Sequence, residues 1–174
     1  LVLTIFKSGT KLLEHILAKI TGLPLVPVGM EIGSDYQNAD LIEYENEGIW
    51  TWHADIGKET ANRINKVGTP TFFLVRNVYD LLVSQYYHFT LDIDAEIGHD
   101  VGTKEFFGGL SRSEGISLVI NGVRSDQFTW RGFGHELRQI RNYLLWYRAV
   151  SGHLLCFEDL IDHKAREVEK LYNY

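Results

Sequence analysis

Apolar residues in this chain fall into two rhythms, short unbroken runs and longer stretches spaced by three and four, and these alternate. Leu1 to Phe6 is an apolar run of strand length, Lys7 to Thr10 is a small polar loop, and Leu12, Leu13, Ile16, Leu17 and Ile20 then mark an amphipathic helix. Gly22 and Pro24 stop that helix. Residues 25–48 read as a loop region with one short strand, and Gly48 to His53 is β-prone. A helix over 58–67 ends at Gly68-Thr69-Pro70. Thr71 to Val75 is fully apolar, as in a strand buried on both faces of a parallel sheet, and it ends abruptly at Arg76. Helical spacing returns over Val78 to Phe89, with Leu81, Leu82, Gln85 and Tyr86 on neighbouring faces. Residues 91–112 read as irregular and mobile, 113–121 as a short helix, and 125–149 as a long helix interrupted near Gly132 and Gly134. His153 to Phe157 is a last strand, before a helix over about 163–172. Strands alternating with helices predict an α/β fold, a parallel β-sheet flanked by helices, in a single domain spanning 1–174.

Composition narrows the classes. The 174 residues carry a net charge of −6, with 45% hydrophobic and 23% charged residues, ordinary values for a soluble globular protein. No overall positive field invites nucleic acid, so any anion site must be a local patch. The single cysteine, Cys156, cannot form an internal disulfide, which suits a reducing, cytoplasmic compartment. It sits in the apolar run Leu154 to Phe157, where a buried thiol is expected rather than a nucleophile. No apolar segment is long enough to span a bilayer. The histidines show no metal-ligand spacing, so no metal is expected. The chain opens on Leu inside a strand, which reads as a fragment without its native start.

Candidate chemistry gathers where strands end, which is where ligands bind in an open parallel sheet. A strand, tight loop and helix point backbone N–H groups and the positive end of a helix dipole at an anion. Lys7 adds a charge, Ser8 and Thr10 add hydroxyls, and Gly9 lets the backbone approach; an ordinary turn with a solvated lysine is the alternative. Arg76 and Ser84, eight residues apart across a strand-to-helix turn, suit a second phosphate, or else Arg76 pairs with Asp80 and Ser84 bonds to its own helix. His53 follows Trp50 and Trp52 and suits a general base, or else is a satisfied rim histidine.

Together these residues resemble the sulfotransferases that use 3′-phosphoadenosine 5′-phosphosulfate (PAPS). Lys7-Ser8-Gly9-Thr10 is similar to their Pro-Lys-Ser-Gly-Thr-Thr phosphosulfate loop, and the segment from Arg76 to Phe89 resembles their 3′-phosphate segment throughout. Thr51-Trp52-His53 lies where the family has Lys-Thr-His, and Phe157-Glu158-Asp159-Leu160 is similar to Tyr-Glu-Asp-Leu. The resemblance implies a P-loop-NTPase-like sulfotransferase fold and transfer of a sulfuryl group from PAPS to a hydroxyl or amine of a small-molecule acceptor, without metal, leaving 3′,5′-adenosine diphosphate (PAP). It assigns Lys7 to charge neutralisation at the leaving phosphate and Ser8, Gly9 and Thr10 to the 5′-phosphate. It assigns Arg76 and Ser84 to the 3′-phosphate and His53 to deprotonation of the acceptor.

The departures are specific. Lys11 and Leu12 stand where the family has threonine and an adenine-stacking tryptophan, with Lys11 a candidate replacement charge at the nucleotide site. Thr51 replaces a lysine, and Phe157 a tyrosine. The family's Arg-Lys-Gly clamp after the last helix has no counterpart before Tyr174, so a cradle without its C-terminal closure is expected. Trp50, Trp52, Tyr86, Tyr87 and Phe89 either line the site of an apolar or phenolic acceptor or belong to the core. Residues 91–112 are a candidate gate for acceptor entry. A nucleotide kinase-like phosphotransferase and a catalytically degenerate nucleotide-binding domain are the alternatives. The first lacks the Gly-x-x-x-x-Gly-Lys-[Ser/Thr] loop. Oligomeric state is not encoded legibly.

Overall fold

The computed structural model describes residues 1–26, 47–53, 55–91, 101–125 and 129–174. They divide into two compact units, Leu1–Asn77 with Gln139–Tyr174, and Val78–Arg138.

The first unit is built on a five-stranded, all-parallel sheet. Its strands are β1 (Val2–Thr4), β2 (Leu25–Val26), β3 (Ile49–Trp52), β4 (Phe72–Val75) and β7 (His153–Cys156), in the order β2-β3-β1-β4-β7. β1 is central, and all three of its residues are buried, which is why its sequence does not alternate. The helices are α1 (Thr10–Thr21), α2 (Lys58–Val67), α7 (Phe157–Asp162), α8 (Lys164–Tyr172) and the part of α6 (Phe133–Trp146) from Gln139 onward. One core cluster joins Val2, Ile49, Leu74 and Leu155 of the sheet to Leu13, Ile16 and Leu17 of α1, Leu160 of α7 and Leu171 of α8. From the alternate strand positions, Phe73 meets the fully buried Tyr143 of α6 edge-on, with ring centroids 5.3 Å apart. The α/β parallel-sheet class read from the sequence is therefore the observed one. The end of α1 also matches: Gly22 takes a left-handed φ of 71° and its N–H caps Ala18 O.

The second unit holds α3 (Val78–Leu91), α4 (Val101–Gly108), α5 (Arg112–Asn121), a ladder of β5 (Val123–Arg124) and β6 (Thr129–Trp130), and the start of α6. Two expectations are corrected here. Of the stretch 91–112 read as irregular, Leu91, 101–108 and Arg112 are helical; residues 92–100 of the candidate gate lie outside the described residues. The long helix expected over 125–149 begins only at Phe133. Ahead of it, Val123 pairs with Trp130 and Arg124 with Thr129 in an antiparallel ladder. Gly122 and Gly132, both at positive φ, let the two backbones close on each other. A Cβ on Gly132 would lie 2.7 Å from Gly122 N. Trp130 fixes this ladder to α5 by donating from Nε1 to Val119 O over 2.8 Å. Phe89 stacks on Phe107 at 5.4 Å and meets Trp130 edge-on, so it belongs to the core of this unit.

Candidate functional site

In the first unit, β1, β3 and β4 end side by side, and the next residues of each carry the chemistry. The loop after β1 runs from Ile5 to Gly9. Ser8 N–H closes a turn onto Ile5 O at 3.0 Å, and Lys7 adopts a left-handed φ of 67°, a conformation costly for a residue with a side chain. Gly9 caps α1 at φ 99° with no side-chain hydrogen bond. The helix thus starts with its first-turn amides uncapped by any side chain, and its dipole adds positive potential at that end.

Arg76, directly after β4, donates from Nη1 to Lys7 O over 3.1 Å. Its guanidinium lies 4.5 Å above the ring of Phe157, the first residue of α7. The same ring fills the space over Gly9, where an added Cβ would come within 2.2 Å of it. Glu158 then accepts the Asn77 N–H at 2.9 Å. The β7–α7 junction therefore holds the loops after β1 and β4 together. The strand expected over His153 to Phe157 ends at Cys156, and Phe157 opens α7; neither its contacts nor that of Glu158 follow from local pattern.

His53 follows β3. Its Nδ1 lies 2.9 Å from Thr4 Oγ1 and 3.2 Å from Thr4 O, and Phe6 meets its ring edge-on. Thr10 donates its hydroxyl to Thr4 Oγ1 over 3.0 Å, and Tyr143 donates to Thr4 O over 3.2 Å. Burial holds the His53 pKa below the usual value. The Thr4 carbonyl and the Glu14 carboxylate oppose that shift, while the positive charges of Lys11 and Lys7 add to it. His53 is thus a neutral imidazole near pH 7, able to accept a proton. Two further bonds pin the chain after it. Asp55 Oδ1 accepts from Ile56 N at 2.9 Å and from Asn142 Nδ2 at 2.8 Å. Sequence reasoning missed Thr4 and Tyr143; the available signal was a lone hydroxyl in the apolar run from Leu1 to Phe6.

Lys7, Ser8, Gly9, Thr10, His53 and Arg76 are thus brought into one connected set. Lys11 is drawn to Glu14, with Nζ 3.0 Å from Oε2. Ser84 is half-buried on α3 and belongs to the second unit. Thr51 keeps a buried Oγ1 with no hydrogen-bond partner.

What the set lacks is acceptors. Ser8 is fully buried and its Oγ has no hydrogen-bond partner; nor has the buried Nε of Arg76. A buried donor left unsatisfied costs about 1–3 kcal/mol. Two such atoms, an uncapped helix start and the charge of Lys7 suit a ligand that brings anionic oxygens, as a phosphate does. Among the described residues, no group of three or more His, Cys, Asp or Glu is placed to hold a metal ion, and no helix is long and apolar enough to cross a membrane.

No protein-family model and no curated protein matches the chain. Among solved structures it is similar to a mouse sulfotransferase, SULT7A1, complexed with PAP, with a TM-score of 0.63 and 12% sequence identity. The likeness covers 98% of this chain and 55% of that one, so the chain spans about half the length of the sulfotransferase. At that identity the likeness establishes a shared fold: a five-stranded parallel sheet flanked by helices, as in a sulfotransferase.

Proposed function

We propose that residues 1–174 form a single sulfotransferase domain that binds PAPS and moves its sulfuryl group to a hydroxyl, or an amine, of a small apolar or phenolic acceptor in the cytoplasm. The observation that carries this reading is the unpartnered, fully buried Ser8 hydroxyl at the uncapped start of α1, with Lys7 beside it and Arg76 bonded to the same loop. The bound co-substrate would supply an electrophilic sulfur and a phosphate leaving group. The amides and hydroxyls of Ser8, Gly9 and Thr10 take the 5′-phosphate oxygens, and Arg76 takes the 3′-phosphate. Ser84 joins Arg76 in this role on the strength of the family segment it lies in. Lys7 neutralises the charge that grows on the leaving oxygen. His53 accepts the acceptor's proton as the acceptor oxygen or nitrogen bonds to sulfur. Lys11, a further candidate contact to the nucleotide at the start of α1, would have to leave its ion pair with Glu14 to reach it. Positioning and charge stabilisation supply most of the rate gain, as in phosphoryl transfer.

The test is calorimetric titration of 3′,5′-adenosine diphosphate into this chain and into Arg76→Ala, followed by supply of PAPS with a panel of phenols, alcohols and amines. Binding that Arg76→Ala weakens by roughly a hundredfold, the scale of losing a charge-assisted bidentate contact, is the expected result. Absence of binding, or equal binding by both proteins, refutes the two-phosphate reading. Binding with no sulfation across the panel would reduce the domain to a nucleotide-binding module.

A further inference from the structure

Thr4 lies within hydrogen-bond distance of both the phosphate loop and the candidate base. Its Oγ1 lies 3.0 Å from Thr10 Oγ1 and 2.9 Å from His53 Nδ1, and its carbonyl lies 3.2 Å from the same nitrogen. The residue is fully buried, so water does not compete for these bonds. A row of two hydroxyls and an imidazole can be hydrogen-bonded in two senses. In one, Thr10 gives to Thr4, Thr4 gives to Nδ1, and the ring carries its proton on Nε2. In the other, Nδ1–H gives to Thr4, Thr4 gives to Thr10, and Thr10 gives to an acceptor beyond it, which leaves the lone pair on Nε2. Both senses hold the same number of protons. They differ by two hydroxyl rotations and a ring proton exchanged through solvent.

The geometry points to Thr4 as a positioning residue that makes the basicity of His53 Nε2 conditional on an anion in the Lys7–Thr10 loop. This inference rests on the reading of that loop as the 5′-phosphate site. A phosphate only accepts, so it draws the Thr10 hydroxyl hydrogen and selects the second sense. The Thr4 carbonyl reinforces that sense, because it too only accepts and faces Nδ1 at 3.2 Å. Tyr143 holds that carbonyl in place from α6. The acceptor's proton is then accepted more readily when the sulfuryl donor is in position.

Imidazole ¹⁵N NMR tests this, with the His53 signals assigned by their loss in His53→Gln. The wild-type chain, Thr4→Val and Thr4→Ser are compared without ligand and with saturating 3′,5′-adenosine diphosphate, with binding measured in parallel by calorimetry. Valine keeps the shape of threonine and deletes the hydroxyl; serine keeps the hydroxyl. In the wild type and in Thr4→Ser, binding should move the neutral ring from Nε2–H toward Nδ1–H by roughly three- to tenfold, the worth of one net hydrogen bond. Thr4→Val should bind the nucleotide and show no such shift. A wild-type tautomer ratio unchanged by measured binding overturns the relay and leaves the two-phosphate reading intact. A Thr4→Val ring that responds like wild type also overturns it. If calorimetry finds no binding, the phosphate reading fails and the relay fails with it.

Discussion

Glu136 offers the sharpest test of the energetics. It sits on α6 at 3% exposure, its only counterweight to burial is a hydrogen bond from the equally buried Gln85, and its Oε2 has no partner. Burial raises its pKa from 4.5 to about 8. Below pH 4.5 the carboxyl is protonated in both folded and unfolded chains. Between there and pH 8 the unfolded chain releases a proton that the folded chain keeps, and each pH unit removes about 1.4 kcal/mol of stability. The loss is on the order of 3 kcal/mol by pH 7 and approaches 5 kcal/mol above pH 8, where it levels off. A typical domain has only about 5–15 kcal/mol in total. Glu136→Gln replaces the carboxyl with a neutral amide of the same shape. Urea unfolding of both proteins at pH 5, 7 and 8.5 isolates the effect, since every other titrating group cancels in the difference. The variant should gain on the order of 2–3 kcal/mol over the wild type between pH 5 and 7, with unchanged urea dependence. A difference that stays constant across pH would refute the argument that Glu136 is held protonated by burial.

Two further outcomes follow from the site. Gly9→Ala meets both a left-handed φ and the Phe157 ring, so it should cost about 2–5 kcal/mol in urea unfolding and weaken binding of 3′,5′-adenosine diphosphate; an alanine variant as stable as wild type would refute the wedge. Because burial lowers the pKa of His53, the acid limb of kcat/KM should lie below pH 6.5, with loss of rate as pH falls through it and a plateau above. An acid limb at or above pH 6.5 would sink His53 as the base.

The legible part of the molecule is the part written in local pattern. Unbroken apolar runs marked β1 and β4 because both faces of those strands are covered, and Gly22 and Gly68 marked helix ends because each takes a left-handed φ there. The Lys7–Thr10 loop, His53 and Arg76 were legible because strand ends are where a parallel sheet presents side chains. Failures occurred where partners far along the chain decide the outcome. Thr129 and Trp130 fall in the stretch read as the start of a long helix, yet the close approach of Gly122 and Gly132 pairs them with Arg124 and Val123 in a ladder. Thr4 meets His53 49 positions away, Tyr143, Phe157 and Glu158 act through contacts 81 to 148 positions away, and no local spacing encodes those.

The placement of Phe157 has a consequence for how the chain is made. The loop it completes lies 148 positions ahead of its ring in the chain, counting from Gly9 to Phe157, and β4 gains its neighbour β7 only just before that ring. A ribosome releases the loop long before the ring that backs Gly9 and stacks on Arg76. During that interval β1 has no complete sheet to join, and Arg76 has no aromatic platform. Long-range pairings of this kind fold slowly and late. The anion-binding loop should therefore gain its order only once Phe157 has emerged, so that nascent chains ending before Phe157 carry the motif without its structure.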